Sequence, residues 1–379
     1  MSNRKSILIT GGLGFIGLHL AKELVEQGYS VVLFDNLSPQ VHGVLPKINV
    51  AILESSDVRV VRGDITDAAA LKQALGGTEA IVHLAAETGT AQSMYEIARF
   101  NWVNSQGTAI LMDVLANSQH SVRKLILASS RSIYGEGAYR CGSCGVVYPP
   151  SRSMEALRAH DWDLRCPGCG GGIQAIPTPE NTKPTPPSIY AATKLAQEFL
   201  VAITCNALGI GSVILRLHSV YGEGQSLHNP YAGILSIFST RVRLGLNVPI
   251  FEDGQESRDF IHAAYVARAI CMSLTSAQAN GRVLNVGSGK PTTVLEAAKV
   301  LIDALGGSAR TEITGRSRLG DIRHCYADLS LTSEILGFYP EISLQRGLER
   351  FARWVGTQPL HEDGLERANN ELRRRKLMG

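Results

Sequence analysis

A glycine-rich turn near the amino terminus constrains the fold more than any other feature of the chain. Residues 7–10 are apolar and predict a buried strand, residues 11–17 read Gly-Gly-Leu-Gly-Phe-Ile-Gly, and residues 18–27 have the apolar spacing of a helix. Glycines at such a turn let the backbone approach a pyrophosphate seated on the helix amino terminus. The sequence therefore begins with a predicted βαβ unit that binds a dinucleotide.

An acidic residue and three further apolar segments support this prediction. A second predicted strand, residues 29–34, ends at Asp35. A carboxylate about 20 residues beyond the glycines accepts the ribose hydroxyls of adenosine and repels a 2′-phosphate, so NAD is favoured over NADP. Residues 58–64 and 80–86 predict a third and a fourth strand, whose nearly continuous apolar character is typical of a parallel sheet buried on both faces.

The composition excludes several classes of protein. The chain has 379 residues, is 44% hydrophobic, and carries 37 Lys+Arg against 34 Asp+Glu, which argues against a disordered chain and a nucleic-acid binder. The longest uncharged stretch, residues 199–215, is interrupted by glycines, so no membrane span is expected. Seven cysteines, an odd number, argue against a secreted disulfide scaffold and favour a cytoplasmic location. The basic residues 373–376 predict a solvated helix end.

Motifs beyond the glycine turn identify a family. In chain order they are Gly63-Asp64-Ile65, His83-Leu84-Ala85-Ala86, Ser129-Ser130 with Tyr134-Gly135, and Tyr190-Ala191-Ala192-Thr193-Lys194. Together with residues 10–17, they resemble the extended short-chain dehydrogenase/reductases, and more narrowly the NAD-dependent nucleotide-sugar epimerases and dehydratases. The resemblance runs from the amino terminus to about residue 340, apart from one insertion.

Three residues are the predicted catalytic set. Tyr190 and Lys194 are four apart, so on a helix they share one face. A neighbouring ammonium and the charge of a nicotinamide would lower the pKa of the phenol from about 10 toward neutrality, as acid–base chemistry near pH 7 requires. Ser130 follows a predicted strand, where its hydroxyl can hydrogen-bond the reacting sugar oxygen. The resemblance implies the same roles for Ser130, Tyr190 and Lys194.

The glycine turn and the resemblance together predict the NAD site. The resemblance assigns Asp64 to the adenine amino group and gives Asn104 the task of steadying the active-site helix and its waters. The full predicted set is Gly11, Gly14, Phe15, Ile16, Gly17, Asp35, Asn36, Asp64, Ile65, Leu84, Ala85, Ala86, Asn104, Ser129, Tyr190 and Lys194.

The resemblance also implies contacts to a nucleotide-diphosphate sugar. Two family segments supply arginines that grip the diphosphate, which a guanidinium suits because it donates two parallel hydrogen bonds. One position departs from the pattern, since Ser219 stands where many members place a substrate-binding asparagine. The predicted substrate contacts are Glu87, Thr88, Ser130, Ser219, Arg258 and Arg323.

The residues after Ser130 indicate which sugar reaction is catalysed. A 4,6-dehydratase needs an acid and a base beyond the tyrosine, and family dehydratases place Asp-Glu there. This chain has Arg131-Ser132 instead, so we expect a 4-epimerase that oxidises C4 transiently with bound NAD. A 4-ketoreductase, usually NADPH-dependent, and a UDP-hexose 4-epimerase are the alternatives. A non-catalytic NAD-sensing scaffold is a third, disfavoured by the intact catalytic set.

Four cysteines form two copies of a Cys-x-x-Cys-Gly motif inside the insertion. They are Cys141, Cys144, Cys166 and Cys169. Four thiolates with this spacing predict a tetrahedral zinc site, over a redox dithiol or two disulfides, and four sulfur ligands leave no open position for catalysis. The insertion is expected near the mouth of the active site, as a lid, a dimer contact or a restriction on substrate shape. The insertion resembles the zinc-knuckle insertions of a subgroup of epimerases that act on dTDP-6-deoxyhexoses such as dTDP-L-rhamnose.

The predicted fold class is α/β, a doubly wound parallel sheet of the Rossmann type with a smaller C-terminal substrate domain and a zinc-ribbon-like insertion. The resemblance implies a homodimer formed through two helices of the Rossmann-type domain. The predicted domains are residues 1–139 and 176–215 for NAD binding and catalysis, 140–175 for the insertion, 216–355 mainly for the nucleotide sugar with 258–285 returning to the first domain, and 356–379 as a helical tail.

Overall fold

A seven-stranded parallel sheet forms the centre of the computed structural model, which describes residues 4–43, 51–231 and 233–379. In chain order the strands are β1 (Ser6–Thr10), β2 (Ser30–Asp35), β3 (Val58–Arg62), β4 (Ala80–His83), β5 (Lys124–Ser130), β6 (Tyr139–Cys141), β7 (Gly145–Val147), β8 (Ile173–Ala175), β9 (Gly211–Leu217), β10 (Ser219–Tyr221), β11 (Val248–Ile250), β12 (Ser257–Arg258), β13 (Phe260–His262), β14 (Arg282–Val286), β15 (Thr292–Thr293), β16 (Thr311–Ile313) and β17 (His324–Cys325).

Helices connect most of these strands, as alternating strand and helix patterns require for parallel pairing. They are α1 (Phe15–Glu26), α2 (Pro39–His42), α3 (Ala68–Ala74), α4 (Thr90–Ser93), α5 (Ile97–Phe100), α6 (Gly107–Asn117), α7 (Met154–Arg158), α8 (Ile189–Leu208), α9 (Ile234–Arg243), α10 (Ala263–Thr275), α11 (Val294–Ala304), α12 (Ser330–Leu336), α13 (Leu344–Thr357) and α14 (Leu365–Arg374), with a π-helical segment at Asn101–Gln106 and 3-10 turns at Ala51–Glu54 and Arg131–Tyr134.

The strand order across the main sheet is β3-β2-β1-β4-β5-β9-β14, and all six neighbouring pairs are parallel. The predicted doubly wound sheet of the Rossmann type is therefore confirmed. The order reverses between β1 and β4, and ligands of such sheets bind outside the carboxyl ends of the strands at this point.

Helices cover both faces of the main sheet. Leu8 of β1 belongs to the core beneath α3, α6 and α8, whereas its neighbours Ile7 and Ile9 belong to the core beneath α1 and α10. Successive side chains of a strand point to opposite faces, so a strand buried on both sides must be apolar throughout. This explains the unbroken apolar run that opens the chain.

A second apolar core lies between residues 221 and 355. Helices α9, α11 and α13 pack together there around Phe238, Leu301 and Phe351. The insertion has its own small antiparallel sheet, in the order β7-β6-β8, which brings the two cysteine pairs together. Among the described residues, no helix is both long and apolar enough to cross a membrane.

Candidate active site

The glycine turn lies at the carboxyl end of β1 and packs so tightly that side chains do not fit. A Cβ atom on Gly11 would lie 2.8 Å from the backbone nitrogen of Ala85, and one on Gly17 would lie 2.4 Å from the carbonyl oxygen of Gly12. Within the described residues, no side chain caps the first amides of α1, whose N-cap is Gly14. Those amides can therefore donate to a pyrophosphate, as NAD binding requires.

Two acidic residues, Asp35 and Asp64, lie at the carboxyl ends of β2 and β3, on the same side of the sheet as the glycine turn. The Asp35 carboxylate accepts hydrogen bonds from the backbone N–H groups of Leu13 (3.1 Å) and Leu37 (2.9 Å). The side-chain amide of Asn36 donates to Asp64 (2.8 Å). The predicted acidic partners of adenosine are thus held beside the glycines, and the donor and acceptor set fits NAD.

The predicted catalytic residues meet in one cavity of about 430 Å³. Ser130 ends β5, while Tyr190 and Lys194 lie in the first turns of α8, and all three line this cavity. The start of α8 is fixed by Ser188, whose hydroxyl accepts from the backbone of Ala191 (3.2 Å). The structure therefore brings together a hydroxyl, a phenol and an ammonium that the sequence separates by up to 64 positions.

Burial controls the ionisation of this set. It raises the pKa of Tyr190, against the opposing effects of a hydrogen bond with Ser130 and the charge of Arg131. Burial also lowers the pKa of Lys194 to about 7, against the attraction of Glu198. The protein's own groups thus do not produce the predicted lowering of the phenol pKa, because desolvation outweighs them. The positive charge of a nicotinamide must supply it.

Sequence reasoning missed a buried hydrogen-bond network behind Lys194. Its Nζ donates to Gln197 (2.7 Å), whose side-chain amide donates to Thr108 (2.7 Å). Thr108 is joined to His83 (2.9 Å), and His83 to Thr10 (2.7 Å). Burial, helped by the charge of Lys194, lowers the pKa of His83 to about 3, so the imidazole is neutral. The network spans β1, β4, α6 and α8 and holds the ammonium in place.

Asn104 connects the catalytic helix to the sheet. Its side-chain oxygen accepts from the backbone of Glu87 (2.8 Å), and its nitrogen donates to the Glu87 carbonyl (3.1 Å) and to Thr193 (3.0 Å). The residue is fully buried in the π-helical segment. These contacts fix the chain after β4 against α8, which is the steadying role expected of Asn104.

Three arginines line the cavity, of which only Arg258 was predicted. Burial and the charge of Arg258 lower the pKa of Arg131, so these two guanidinium groups act on each other. The third, Arg318, donates to Asp321 (2.9 Å) and stacks over the ring of Phe251 (4.8 Å). Neighbouring guanidinium groups repel one another unless an anion lies between them, and a diphosphate would meet that need. The predicted contacts Thr88 and Ser219 also line the cavity.

Arg323, a predicted substrate contact, is not among the residues that line the cavity. The residue is 3% exposed, and its guanidinium pairs with Asp253 (2.6 Å), Asp163 (3.0 Å) and the lining residue Glu252 (3.2 Å). From the same segment it is Arg318 that reaches the cavity. Arg318 and Arg323 are only five residues apart, and contacts with residues far along the chain determine which of them reaches the cavity.

Glu87, another predicted substrate contact, also lies outside the cavity lining. Its carboxylate forms an ion pair with Arg99 (2.8 Å), and the residue is not part of the described cavity lining. The next residue, Thr88, lines the cavity instead. Glu87 and Thr88 are adjacent in the loop after β4, and nothing in the sequence indicates which of the two side chains faces the cavity.

The four cysteines of the insertion converge. All their sulfur atoms lie within 4.8 Å of one another, with Cys141 and Cys169 3.5 Å apart. Gly145 and Gly170, which follow the two pairs, have φ values of +74° and +71°, so each pair ends in a turn that favours glycine. The three remaining cysteines are buried thiols: Cys205, Cys271 and Cys325.

An ion-pair cluster joins the insertion to the wall of the cavity. Arg152 of the insertion is buried and donates to the carboxylate of Glu252 (2.7 Å) and to the backbone carbonyl of Asp321 (3.1 Å). Glu252 lines the cavity beside Phe251 and has a φ of +50°, an unusual conformation for a residue with a side chain. A strained backbone thus places a carboxylate where it receives Arg152.

Comparisons with known proteins agree with this geometry. The family model described as "NAD dependent epimerase/dehydratase family" matches residues 7–152 and 169–287, leaving a gap within the insertion. The chain is 39% identical over 359 residues to a dTDP-L-rhamnose 4-epimerase from Burkholderia thailandensis, covering 93% of this chain and 96% of that protein. It is 28% identical to a putative UDP-glucose 4-epimerase from Methanocaldococcus jannaschii, covering 92% and 98%.

Solved structures give the same picture. A UDP-glucuronic acid 4-epimerase from Bacillus cereus, in complex with UDP-glucuronic acid and NAD, superposes with a TM-score of 0.76 at 26% identity, over 93% of this chain and 99% of that one. A UDP-glucose 4-epimerase from Thermotoga maritima with UDP-glucose gives 0.74 at 28% identity, over 92% and 98%.

Proposed function

The chain belongs to the NAD dependent epimerase/dehydratase family, and from this premise we propose that it epimerises C4 of a dTDP-6-deoxyhexose, with dTDP-L-rhamnose as the substrate. That the enzyme is an NAD-dependent nucleotide-sugar 4-epimerase follows from its relatives. One observation carries the chemistry: Ser130, Tyr190 and Lys194 line one cavity at the switch point of the sheet. The chain places Arg131-Ser132 directly after Ser130, where a dehydratase would need carboxylates.

NAD, when bound between the glycine turn and this cavity, supplies an acceptor for the hydride of C4. The residues of the chain manage the proton. Tyr190 takes the proton of the C4 hydroxyl as C4 is oxidised, and it returns that proton when the opposite face of C4 is reduced. Ser130 holds the reacting oxygen by a hydrogen bond, and the Lys194 ammonium stabilises the phenolate. Each turnover restores the starting state of Tyr190.

The choice of substrate is supported by the relative at 39% identity, which is named a dTDP-L-rhamnose 4-epimerase. The test is incubation with dTDP-L-rhamnose, UDP-glucose and UDP-N-acetylglucosamine, without added cofactor, followed by NMR of the C4 stereochemistry. We expect the C4 epimer from dTDP-L-rhamnose and at least tenfold slower reaction of the UDP-sugars. Turnover of none of the three, together with reduction of a 4-keto sugar when NAD(P)H is added, would instead identify a ketoreductase.

A structural zinc ion in the insertion is a second part of the proposal. Tetrahedral zinc with Zn–S bonds of about 2.3 Å needs sulfur atoms about 3.8 Å apart, and the four cysteine sulfurs lie within 4.8 Å of one another. Backbone N–H groups of Cys169 and Gly168 lower the pKa of Cys166, whereas the neighbouring thiols raise the pKa of Cys144 and of Cys169, so four thiolates together need a cation between them. Reduced cysteines of this kind accord with a cytoplasmic location. Elemental analysis should find about one zinc per chain, and none after full reconstitution would contradict the site.

The insertion serves the active site by anchoring one wall of it. The guanidinium of Arg152 donates to both the carboxylate of Glu252 and the carbonyl of Asp321, and both of these residues line the cavity. These residues are neighbours of Phe251 and Arg318, which stack on each other. Among the roles predicted for the insertion, this arrangement favours a restriction on substrate shape over a mobile lid, because a buried ion pair does not open easily.

We also propose a homodimer formed through two helical segments of the Rossmann-type domain, the π-helical segment Asn101–Gln106 and helix α8. Large apolar side chains are exposed along one side of these segments: Trp102 is 57% exposed, Phe199 is 59% exposed and Ile203 is 67% exposed. An apolar patch of this kind marks an interaction surface. Light scattering should give twice the mass of the chain, and Phe199→Glu should shift it to the monomer. A monomeric wild-type protein would contradict the proposal.

A further inference from the structure

The C-terminal helix α14 lies directly against the cavity, although the sequence predicts only a solvated tail there. One face of the helix is buried and lines the cavity, through Leu365, Ala368, Asn369 and Leu372. The opposite face carries exposed charged residues. The pattern explains why the helix, which is very polar on average, docks by one narrow face.

Three sets of contacts hold this helix in place. After α14 the chain pairs with the segment that carries Arg318: Ser317 and Gly379 exchange backbone hydrogen bonds (3.2 and 3.0 Å), and Leu319 donates to Leu377 (2.9 Å). On the other side, the guanidinium of Arg375 lies 4.4 Å from the ring centre of Tyr95. Asp363, just before the helix, forms an ion pair with Arg241.

The contact with Tyr95 places the helix near the catalytic centre. Tyr95 follows α4, whose Ser93 accepts a hydrogen bond from the backbone N–H of Tyr190 (3.0 Å). Tyr95 also donates to the hydroxyl of Tyr231 (2.6 Å), and Tyr231 lines the cavity. The chain at the end of α14 therefore contacts both the Arg318 segment and residues that adjoin Tyr190.

Asn369 is the polar residue on the buried face of α14. It is 1% exposed, and its Oδ1 has no hydrogen-bond partner within the part of the chain that the structure describes. Its Nδ2 makes one long contact, to Glu366 (3.5 Å). The next residue, Asn370, is exposed and accepts from Arg373 (2.6 Å). A buried acceptor without a partner is costly, and a ligand in the cavity would provide one.

We propose that α14 forms the outer wall of the substrate site and that Oδ1 of Asn369 accepts a hydrogen bond from a hydroxyl of the bound hexose. An acceptor requires a donor, and the diphosphate at neutral pH has none. The nucleotide has donors in thymine N3–H and the deoxyribose 3′-hydroxyl, and binding of dTDP alone distinguishes these from the sugar. The hexose hydroxyls are the donors held near Tyr190, on the side where the end of α14 contacts Tyr95. The inference rests on the proposed function and adds a residue that selects the sugar.

The test compares binding of dTDP-L-rhamnose and of dTDP by calorimetry in the full-length holoenzyme. Asn369→Leu should weaken binding of dTDP-L-rhamnose about fivefold, as expected for one neutral hydrogen bond, and leave dTDP unchanged. The melting temperature of this variant should be equal to or above that of the wild type, because an unpaired acceptor is removed. The matched control Asn370→Leu should change neither constant.

Four outcomes would overturn the inference. Equal weakening of dTDP would show that Asn369 contacts the nucleotide, and unchanged binding with a lower melting temperature would show a purely structural role. If the wild type binds dTDP-L-rhamnose and Asn369→Leu binds it equally well at an unchanged melting temperature, the inference alone fails. If the wild type does not bind dTDP-L-rhamnose, the proposed function fails and this inference with it.

Discussion

The floor of the cavity and its outer wall are built in different ways. The floor consists of the glycine turn, Ser130 and the start of α8, all positioned by the parallel sheet and its covering helices. The wall consists of the segments around Glu252 and Arg318 and of α14, and the insertion supports it from behind through contacts such as that between Arg152 and Glu252, 100 residues apart. The floor depends on regular secondary structure, and the wall on individual side-chain pairs.

This difference separates chemistry from substrate selection. Hydride and proton transfer need residues at fixed positions relative to the cofactor, which a sheet edge provides. Recognition of one sugar or nucleotide needs side chains that differ between relatives, and segments outside the sheet supply these. Changes in the floor should therefore lower kcat, and changes in the wall should raise KM.

The largest effect is expected from the floor. Tyr190→Phe removes the acid–base group and should lower kcat about 10³-fold, the usual contribution of such a residue, with the NAD content unchanged. Steady-state kinetics and the absorbance of extracted cofactor measure both. Tyr148→Phe, an exposed tyrosine of the insertion, is the control. A fall in kcat of less than tenfold would show that Tyr190 is not the acid–base group of the reaction.

A change in the insertion should act on KM instead. Cys166→Ser should abolish zinc binding and raise KM for the nucleotide sugar about tenfold, because the anchor at Arg152 loosens while the floor is intact. Metal analysis and kinetics on the same preparation provide the measurement. Cys205→Ala, which removes a buried thiol of the main domain, should retain its zinc. Loss of zinc with unchanged stability and kinetics would show that the insertion does not support the wall of the cavity.

The anchor itself can be tested by a double-mutant cycle. Arg152→Gln should raise KM about fivefold, and Glu252→Gly by at least as much, because it also removes the ion pair with Arg323. The double variant should raise KM little more than Glu252→Gly alone, because Arg152 then has no contact left to lose at Glu252. Glycine suits the φ of +50° at position 252, so the backbone there is retained. Arg158→Gln, an exposed arginine of the insertion, is the control. Fully additive effects would show that the two residues act separately.

The smallest expected effect is on stability, through Lys194. Its pKa of about 7 in the folded protein lies below the ordinary 10.5, so the unfolded chain binds more protons between these values. Stability should therefore fall as the pH decreases from about 10 to about 7, with no further change from this group below that. Melting temperatures of Lys194→Met and wild type should differ most at pH 7 and converge toward pH 10. A difference that is constant with pH would contradict this.

The same division explains how much the sequence could predict. The opening βαβ unit and the parallel sheet follow from local periodicity, and the resemblance to a known family implies the convergence of Ser130, Tyr190 and Lys194. Arg318 and Asn369 could not be predicted, because their positions depend on partners far along the chain. The choice between Arg318 and Arg323 is decided by carboxylates at three other positions, and no local pattern records that choice.

The central claim is that hydride leaves C4 and returns to the same carbon within one active site. The most direct measurement uses dTDP-L-rhamnose deuterated at C4, without added cofactor, with NMR and mass analysis of the product. We predict the C4 epimer with its deuterium retained, and the same equilibrium ratio of epimers from either direction. Loss of deuterium to solvent, or a reaction that proceeds only with added NAD(P)H, would contradict the account.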